Sequence, residues 1–201
     1  MKILRLTSSF RGNDSMSLQL GNAIVAKFKN QNSKTEVFTK DLVKNEIPHL
    51  NDLHFTSFMT PKESLSSELK EIVSFSDNAI QELQTADIVV IDVPMYNFGI
   101  PSSLKAWIDH VARAGSTFKY TENGVEGLVK DKKVFLAIAT GGIYSEGPMK
   151  EFDYTEKYLK AVLGFIGITD IVTFRVEGTS IPVFKETALT KAIHAVETYN
   201  L

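Results

Sequence analysis

The sequence predicts an open α/β fold built on a five-stranded parallel sheet with helices on both faces. Three observations predict it. Five short apolar segments alternate with stretches of helical periodicity along the whole chain. The last three of those segments are nearly unbroken runs of apolar and β-branched residues, the pattern of parallel strands covered on both sides. The polar or glycine-rich stretches most able to meet a ligand follow directly on strand ends.

The elements follow in order. The first strand is Ile3 to Thr7, and the helix after it shows Leu20, Ala23, Ile24 and Phe28 on one face. The second strand is Glu36 to Thr39. Residues 45 to 64, with Pro48, Pro61, Phe55 and Phe58, break the alternation and read as a long irregular excursion. The next helix carries Leu69, Ile72, Val73, Ala79, Ile80 and Leu83. Strand three is Ile88 to Pro94, and its helix carries Leu104, Trp107, Ile108 and Val111, with Gly115 expected as the residue that closes it. Residues 116 to 128 read as a small hairpin, Phe118 and Tyr120 alternating before the turn at Glu122-Asn123-Gly124. Strand four is Val134 to Thr140, followed by a helix with Tyr158, Leu159, Val162, Leu163 and Ile166. Strand five is Ile171 to Val176, and Leu189, Ala192, Ile193 and Val196 mark the last helix. Right-handed crossovers between such units suit the flavodoxin-like strand order 2-1-3-4-5. No linker, repeat or low-complexity segment interrupts residues 1–201, so one domain is expected.

Composition narrows the function. The net charge is −2 with both signs dispersed, which gives no field to steer a nucleic acid or an anionic membrane. The chain has no cysteine, so disulfides and thiol chemistry are excluded. Arg5 interrupts the N-terminal apolar run too early for a signal peptide, and no stretch approaches the roughly 20 apolar residues of a membrane span. A cytoplasmic protein is the expectation. The four histidines form no i,i+4 pair, and HExxH, GxSxG, Walker and GxGxxG patterns are all missing. A phosphoacceptor receiver domain would need an acidic pair after the first strand, where Thr7-Ser8-Ser9 stands. Asp92, inside strand three, is either buried or functional.

With that strand order, ligands meet the loops after strands one, three and four. The first, Ser8 to Ser17, is rich in hydroxyls and leads into a helix start, whose free N–H groups and dipole accept a phosphate; the plainer alternative is a polar loop with Ser15 as N-cap. The second, Pro94-Met95-Tyr96-Asn97-Phe98-Gly99-Ile100-Pro101, keeps large apolar side chains where turn residues are usual. A planar apolar ligand would explain them, as would an aromatic cluster sealing the core or a subunit interface. The third, Thr140 to Pro148, has the pair Gly141-Gly142, which admits a flat ligand close to the backbone or simply makes a tight turn. All three together occupy the positions one nucleotide would touch.

At these residues the chain resembles the FMN-dependent NADH-azoreductase family, a branch of the flavodoxin-like quinone reductases. The resemblance covers essentially the whole length. It is most specific over Pro94 to Phe98, Asp109-His110-Val111-Ala112-Arg113-Ala114-Gly115, Phe118-Lys119-Tyr120-Thr121-Glu122-Asn123-Gly124 and Leu163-Gly164-Phe165-Ile166-Gly167-Ile168. It implies electron transfer from NADH or NADPH through FMN to quinones and azo compounds, by a ping-pong sequence with no side chain as nucleophile. It also implies a homodimer with two FMN sites across the interface. By position, Ser9, Ser15, Met16 and Ser17 would hold the phosphate and ribityl chain. Met95, Tyr96, Asn97 and Phe98 would line the ring, and Thr140, Gly141 and Gly142 would meet its pyrimidine edge. Phe118, Tyr120, Tyr144 and Val162 would face the acceptor, the hairpin pair reaching in from the partner. One departure matters: Ala139-Thr140 stands where relatives often have Ser-Arg, which removes a cation near the flavin. The rivals are a flavodoxin-type electron carrier, usually far more acidic than this chain, and a flavin-free interaction domain on the same fold.

Overall fold

The structure, a computed structural model, describes residues 1–201. Its elements are β1 (Lys2–Thr7), α1 (Met16–Gln31), β2 (Glu36–Asp41), α2 (Asp52–Met59), α3 (Ser67–Thr85), β3 (Ile88–Pro94), α4 (Ser102–Val111), β4 (Phe118–Thr121), β5 (Gly124–Gly127), β6 (Lys133–Ala139), α5 (Tyr154–Phe165), β7 (Asp170–Val176), α6 (Pro182–Lys185) and α7 (Ala188–Thr198). The main sheet has the order β2-β1-β3-β6-β7 and all its pairs are parallel. Counting only its own strands, this is the expected 2-1-3-4-5. The hairpin β4-β5 forms a separate antiparallel pair.

Alternating side chains divide the interior in two. Leu4, Leu6, Val89 and Ile91 pack toward α3, α4 and α5, with Leu83, Leu104, Trp107 and Leu159. Ile3, Val90 and Phe135 pack toward α1 and α7, with Leu20, Ile24, Phe28 and Val196. Both faces are apolar, which is why β3 and β6 read as continuous apolar runs.

Two expectations need correction. The segment 45–64 is not wholly irregular, because residues 52–59 form α2. Asn51 and His54 close a reciprocal cap there: Asn51 Oδ1 accepts from His54 N–H, and His54 Nδ1 accepts from Asn51 N–H. The segment is also held against α4, since buried His110 donates from Nε2 to the Pro48 carbonyl at 2.8 Å. Burial pushes the His110 pKa down, which keeps that imidazole neutral. The second correction concerns Gly115. Helix α4 ends at Val111, and Gly115, at φ +76°, instead turns the chain into the hairpin, where its N–H donates to the Phe118 carbonyl. Arg113 N–H is taken by Val111 O and Thr117 Oγ1, so the helix stops before the glycine is reached.

The hairpin is fastened at its base. Val129 N–H donates to Ile166 O, and Gly167, at φ +109°, packs so closely on Gly127 and Val129 that neither glycine has room for a Cβ. That contact gives a physical reason for the glycines at 127 and 167.

Candidate functional site

The loops after β1, β3 and β6 lie together at the carboxyl edge of the sheet because these strands are successive neighbours. Each loop is shaped by its own chemistry.

Ser15 is the N-cap of α1, and its Oγ accepts from Leu18 N–H. Ser15 Oγ also lies 3.0 Å from Ser17 Oγ, and both serines are buried. Helix geometry leaves the first-turn N–H groups of Met16 and Ser17 without intrahelical acceptors. Two hydroxyls and a helix dipole therefore converge on one small volume, which suits a phosphate. Ser9 Oγ bridges Tyr96 OH at 3.2 Å and accepts from Arg11 N–H, and the Phe10 ring stacks on Tyr96 at 4.7 Å. This ties the first loop to the second.

The second loop is a two-residue turn. Tyr96 and Gly99 exchange both backbone hydrogen bonds, leaving Asn97 (φ 50°) and Phe98 (φ 69°) in the left-handed region. For an aromatic residue that conformation costs roughly 1–2 kcal/mol. Strain of this kind is retained where a loop must present its backbone in a set direction. The N–H groups of Asn97 and Phe98 donate to nothing in the chain. Phe98 is 45% exposed.

The third loop repeats the pattern. Its carbonyls turn inward: Gly141 O accepts from Ser180 N–H, and Gly142 O accepts from Gly178 N–H and from Thr140 Oγ1 at 2.7 Å. The N–H groups of Gly141 and Gly142 are free. Thr140 is 2% exposed and its hydroxyl locks the turn, so its side chain presents no group to the open edge. Tyr144 lies against Gly142 and edge-on to Phe98 at 6.3 Å between centroids. Two strained or glycine turns thus present four unpaired backbone donors, flanked by Phe98 and Tyr144. A flat ring with carbonyl and ring-nitrogen acceptors along its edge fits that arrangement, and the phosphate volume lies at the neighbouring strand end.

A flavodoxin-like fold family matches residues 1–199. An FMN-dependent NADH:quinone oxidoreductase of Herminiimonas arsenicoxydans is 45% identical over 179 residues, covering 89% of this chain and 88% of that protein. The chain belongs to the flavodoxin-like family, among the FMN-dependent NADH:quinone oxidoreductases. Solved azoreductase structures share its shape. An azoreductase from Bacillus anthracis str. Sterne superposes with a TM-score of 0.90 at 32% identity, covering 98% of this chain and 96% of that one. An FMN-dependent NADH-azoreductase from Bacillus anthracis str. Ames Ancestor, solved in complex with FMN, gives 0.85 at 26% identity, covering 98% and 97%.

Within this family member the expected acceptor-facing residues separate. Tyr144 borders the Gly142 turn and Phe98, as above. Tyr120 is 74% exposed at the hairpin, whereas Phe118 is 8% exposed and packs on Phe165 at 4.5 Å. Phe118 therefore anchors the hairpin to its own subunit, because its place is the buried start of β4. Val162 is half-buried on α5, packed against the core. Met95 and Tyr96 are half-buried under the second loop, and Met95 N–H donates to Ala139 O.

Four charged side chains behind the loops, Arg5, Asp92, Arg175 and Glu177, were given no supporting role by sequence reasoning, which noted only that Asp92 is buried or functional. Arg5 donates from Nε and Nη2 to Asp92 Oδ2 (3.0 and 2.7 Å), from Nη1 to Asn22 Oδ1 and from Nη2 to Leu18 O. The pair thus fixes the first turns of α1. Burial pushes the Asp92 carboxyl up to about 7, against the pull of the Arg5 charge and its hydrogen bond. At the other edge, Glu177 accepts from Tyr144 N–H (2.8 Å), Ser145 N–H (2.9 Å) and Ser145 Oγ, and Arg175 joins Glu177 to Asp153 and Glu156 at the start of α5. The available signal was a charge inside an apolar strand: Arg5, Asp92 and Arg175 each supply one.

Proposed function

We propose that this chain, acting as one functional unit, is an FMN-dependent oxidoreductase that carries electrons from NADH to quinones and also reduces azo compounds to amines. The observation that carries the proposal is the set of four unpaired backbone N–H groups on two adjacent turns beside a phosphate-ready helix start. The residues fit FMN: Ser9, Ser15 and Ser17, with the α1 N-terminus, would hold the phosphate, while the backbone N–H groups of Asn97, Phe98, Gly141 and Gly142 would serve the ring edge. When bound, FMN would supply the redox chemistry that links NADH oxidation to acceptor reduction, in ping-pong order. The protein contributes orientation. Phe98 and Tyr144 flank the ring edge, and the strained turn at Asn97-Phe98 fixes the direction of its donors before the cofactor arrives. The same reading includes a homodimer in which Tyr120 of one subunit covers the acceptor side of the other.

The test is an anaerobic visible spectrum of FMN-loaded protein, titrated with NADH and then with a quinone. Bleaching by NADH and recovery with the quinone are expected. A flavin that binds but stays oxidised would identify an electron carrier instead, and failure to bind FMN would remove the reading. Replacing Ser9, Ser15 and Ser17 together by alanine should weaken FMN retention, measured by quenching of flavin fluorescence; unchanged affinity would sink the phosphate assignment.

A further inference from the structure

Tyr144 has two neighbourhoods. One side of it belongs to the ring edge, beside Gly142 and Phe98. With Ser145 it also lines a separate cavity of about 260 Å³, whose remaining walls are Lys150, Asp153, Glu156, Lys157, Lys160 and Arg175. That volume is smaller than the ~300 Å³ at which pockets begin to hold a drug-sized molecule, so it suits a compact group of a larger ligand.

The cavity wall carries four cations and two carboxylates. Both carboxylates are already engaged. Asp153 pairs with Arg175 and caps Thr155 and Glu156 N–H. Glu156 pairs with Arg175 and Lys160 and accepts from Thr173; burial pushes its pKa up, but those partners outweigh burial and hold it at about 2. Arg175 is in turn saturated by Asp153, Glu156 and Glu177. Two cations are left for a ligand. Lys150 has no ion-pair partner, and Lys157 has only the exposed Glu151 at 3.4 Å, an interaction of little strength. Thr140 turns its hydroxyl inward, so the residue before the glycine pair offers no charge to this end of the site.

We infer that this cavity is the subsite for the diphosphate of the nicotinamide dinucleotide donor, held by Lys150 and Lys157 while the nicotinamide lies on the ring side of Tyr144. The inference rests on the oxidoreductase reading above. The ligand chemistry is an anionic group tethered to a flat ring. A sulfonated azo acceptor has the same chemistry, and the two sources act in different half-reactions.

The test uses FMN-loaded protein and the variant Lys150→Glu/Lys157→Glu, with Lys150→Gln/Lys157→Gln as the milder form. Stopped-flow flavin reduction by limiting NADH, flavin reoxidation by a neutral benzoquinone and by a sulfonated azo dye, and a spectral titration with NAD⁺ are measured. Charge reversal should slow reduction and weaken NAD⁺ binding by about tenfold or more, with the glutamine pair falling between it and the native protein. Reoxidation by benzoquinone and FMN affinity should not change. Reduction and NAD⁺ binding within about twofold of the native protein would overturn the assignment. So would a loss confined to reoxidation by the sulfonated dye, which would give the cavity to the acceptor. If native protein binds FMN but NADH never reduces it, the oxidoreductase reading itself fails.

Discussion

Gly21 of α1 lies against the Asp92 carboxylate so closely that an added Cβ would overlap Asp92 Oδ1. The carboxylate is wholly buried and Oδ1 has no hydrogen-bond partner, so it has nowhere to retreat without leaving Arg5. Breaking a buried ion pair leaves an uncompensated charge at a cost of about 3–5 kcal/mol. At about pH 8, where Asp92 is ionised, Gly21→Ala should therefore lower stability by roughly that amount in chemical denaturation, and a loss below about 1 kcal/mol would mean that the carboxylate moves freely. The same residue sets a pH dependence. Asp92 is raised from 3.8 to about 7 in the fold. Between those values the native state keeps a proton that the unfolded chain has lost, so the Asp92 contribution falls as pH rises from about 4 to about 7 and is level above that. The stability of native protein minus that of Asp92→Asn should decline across this window. A flat difference would show that Arg5 keeps the carboxylate ionised throughout.

At the scale of elements, the loop that follows β6 is held less by its own residues than by Glu177, just past the end of β7. Glu177 takes two backbone N–H groups and a hydroxyl of that loop, and Arg175 links it to the start of α5. Glu177→Ala removes those hydrogen bonds, at about 1 kcal/mol since water reaches the partly exposed donors, and frees the loop that carries Gly141 and Gly142. Faster hydrogen exchange at Tyr144 and Ser145 and weaker FMN binding are expected; unchanged exchange would show that the glycine turn holds itself. Strands, helix faces and the hairpin were legible in the sequence because burial imposes a period on them, and the Asn123-Gly124 turn names itself. The α2 helix was not, because its cap uses Asn51 with His54 rather than a glutamate and two prolines flank it. The three loops were legible as a candidate site because strand order brings them together. Arg175 and Glu177 were not, because their partners lie in other elements, at Asp153 and in the loop at Tyr144, where spacing gives no hint.

For the whole molecule, the question is what covers the aromatic side chains left outside. Phe98 and Tyr120 are both well exposed, with Phe152 5.9 Å from Phe98 between centroids. No helix is long and apolar enough to cross a membrane. A second copy seated here would bury this surface and supply the acceptor pocket with Tyr120. The hairpin makes this testable because its two aromatic residues, two positions apart and so on the same face of β4, have different surroundings. Phe118 is part of the core beside Phe165, so Phe118→Ala should cost about 3–5 kcal/mol of stability, as large-to-small changes in cores do. Tyr120 contributes little to the fold of its own subunit. Tyr120→Ala should leave the melting temperature of the monomeric unit and FMN affinity unchanged, yet weaken self-association by about 2 kcal/mol or more if the tyrosine is an interface anchor. It should also alter kcat/KM for quinones of different size. Analytical ultracentrifugation of the native protein and of both variants, with steady-state kinetics on two quinones, separates the roles. A native protein that sediments as a monomer, or a Tyr120→Ala protein with native association and native acceptor preference, would show that the hairpin serves only its own subunit.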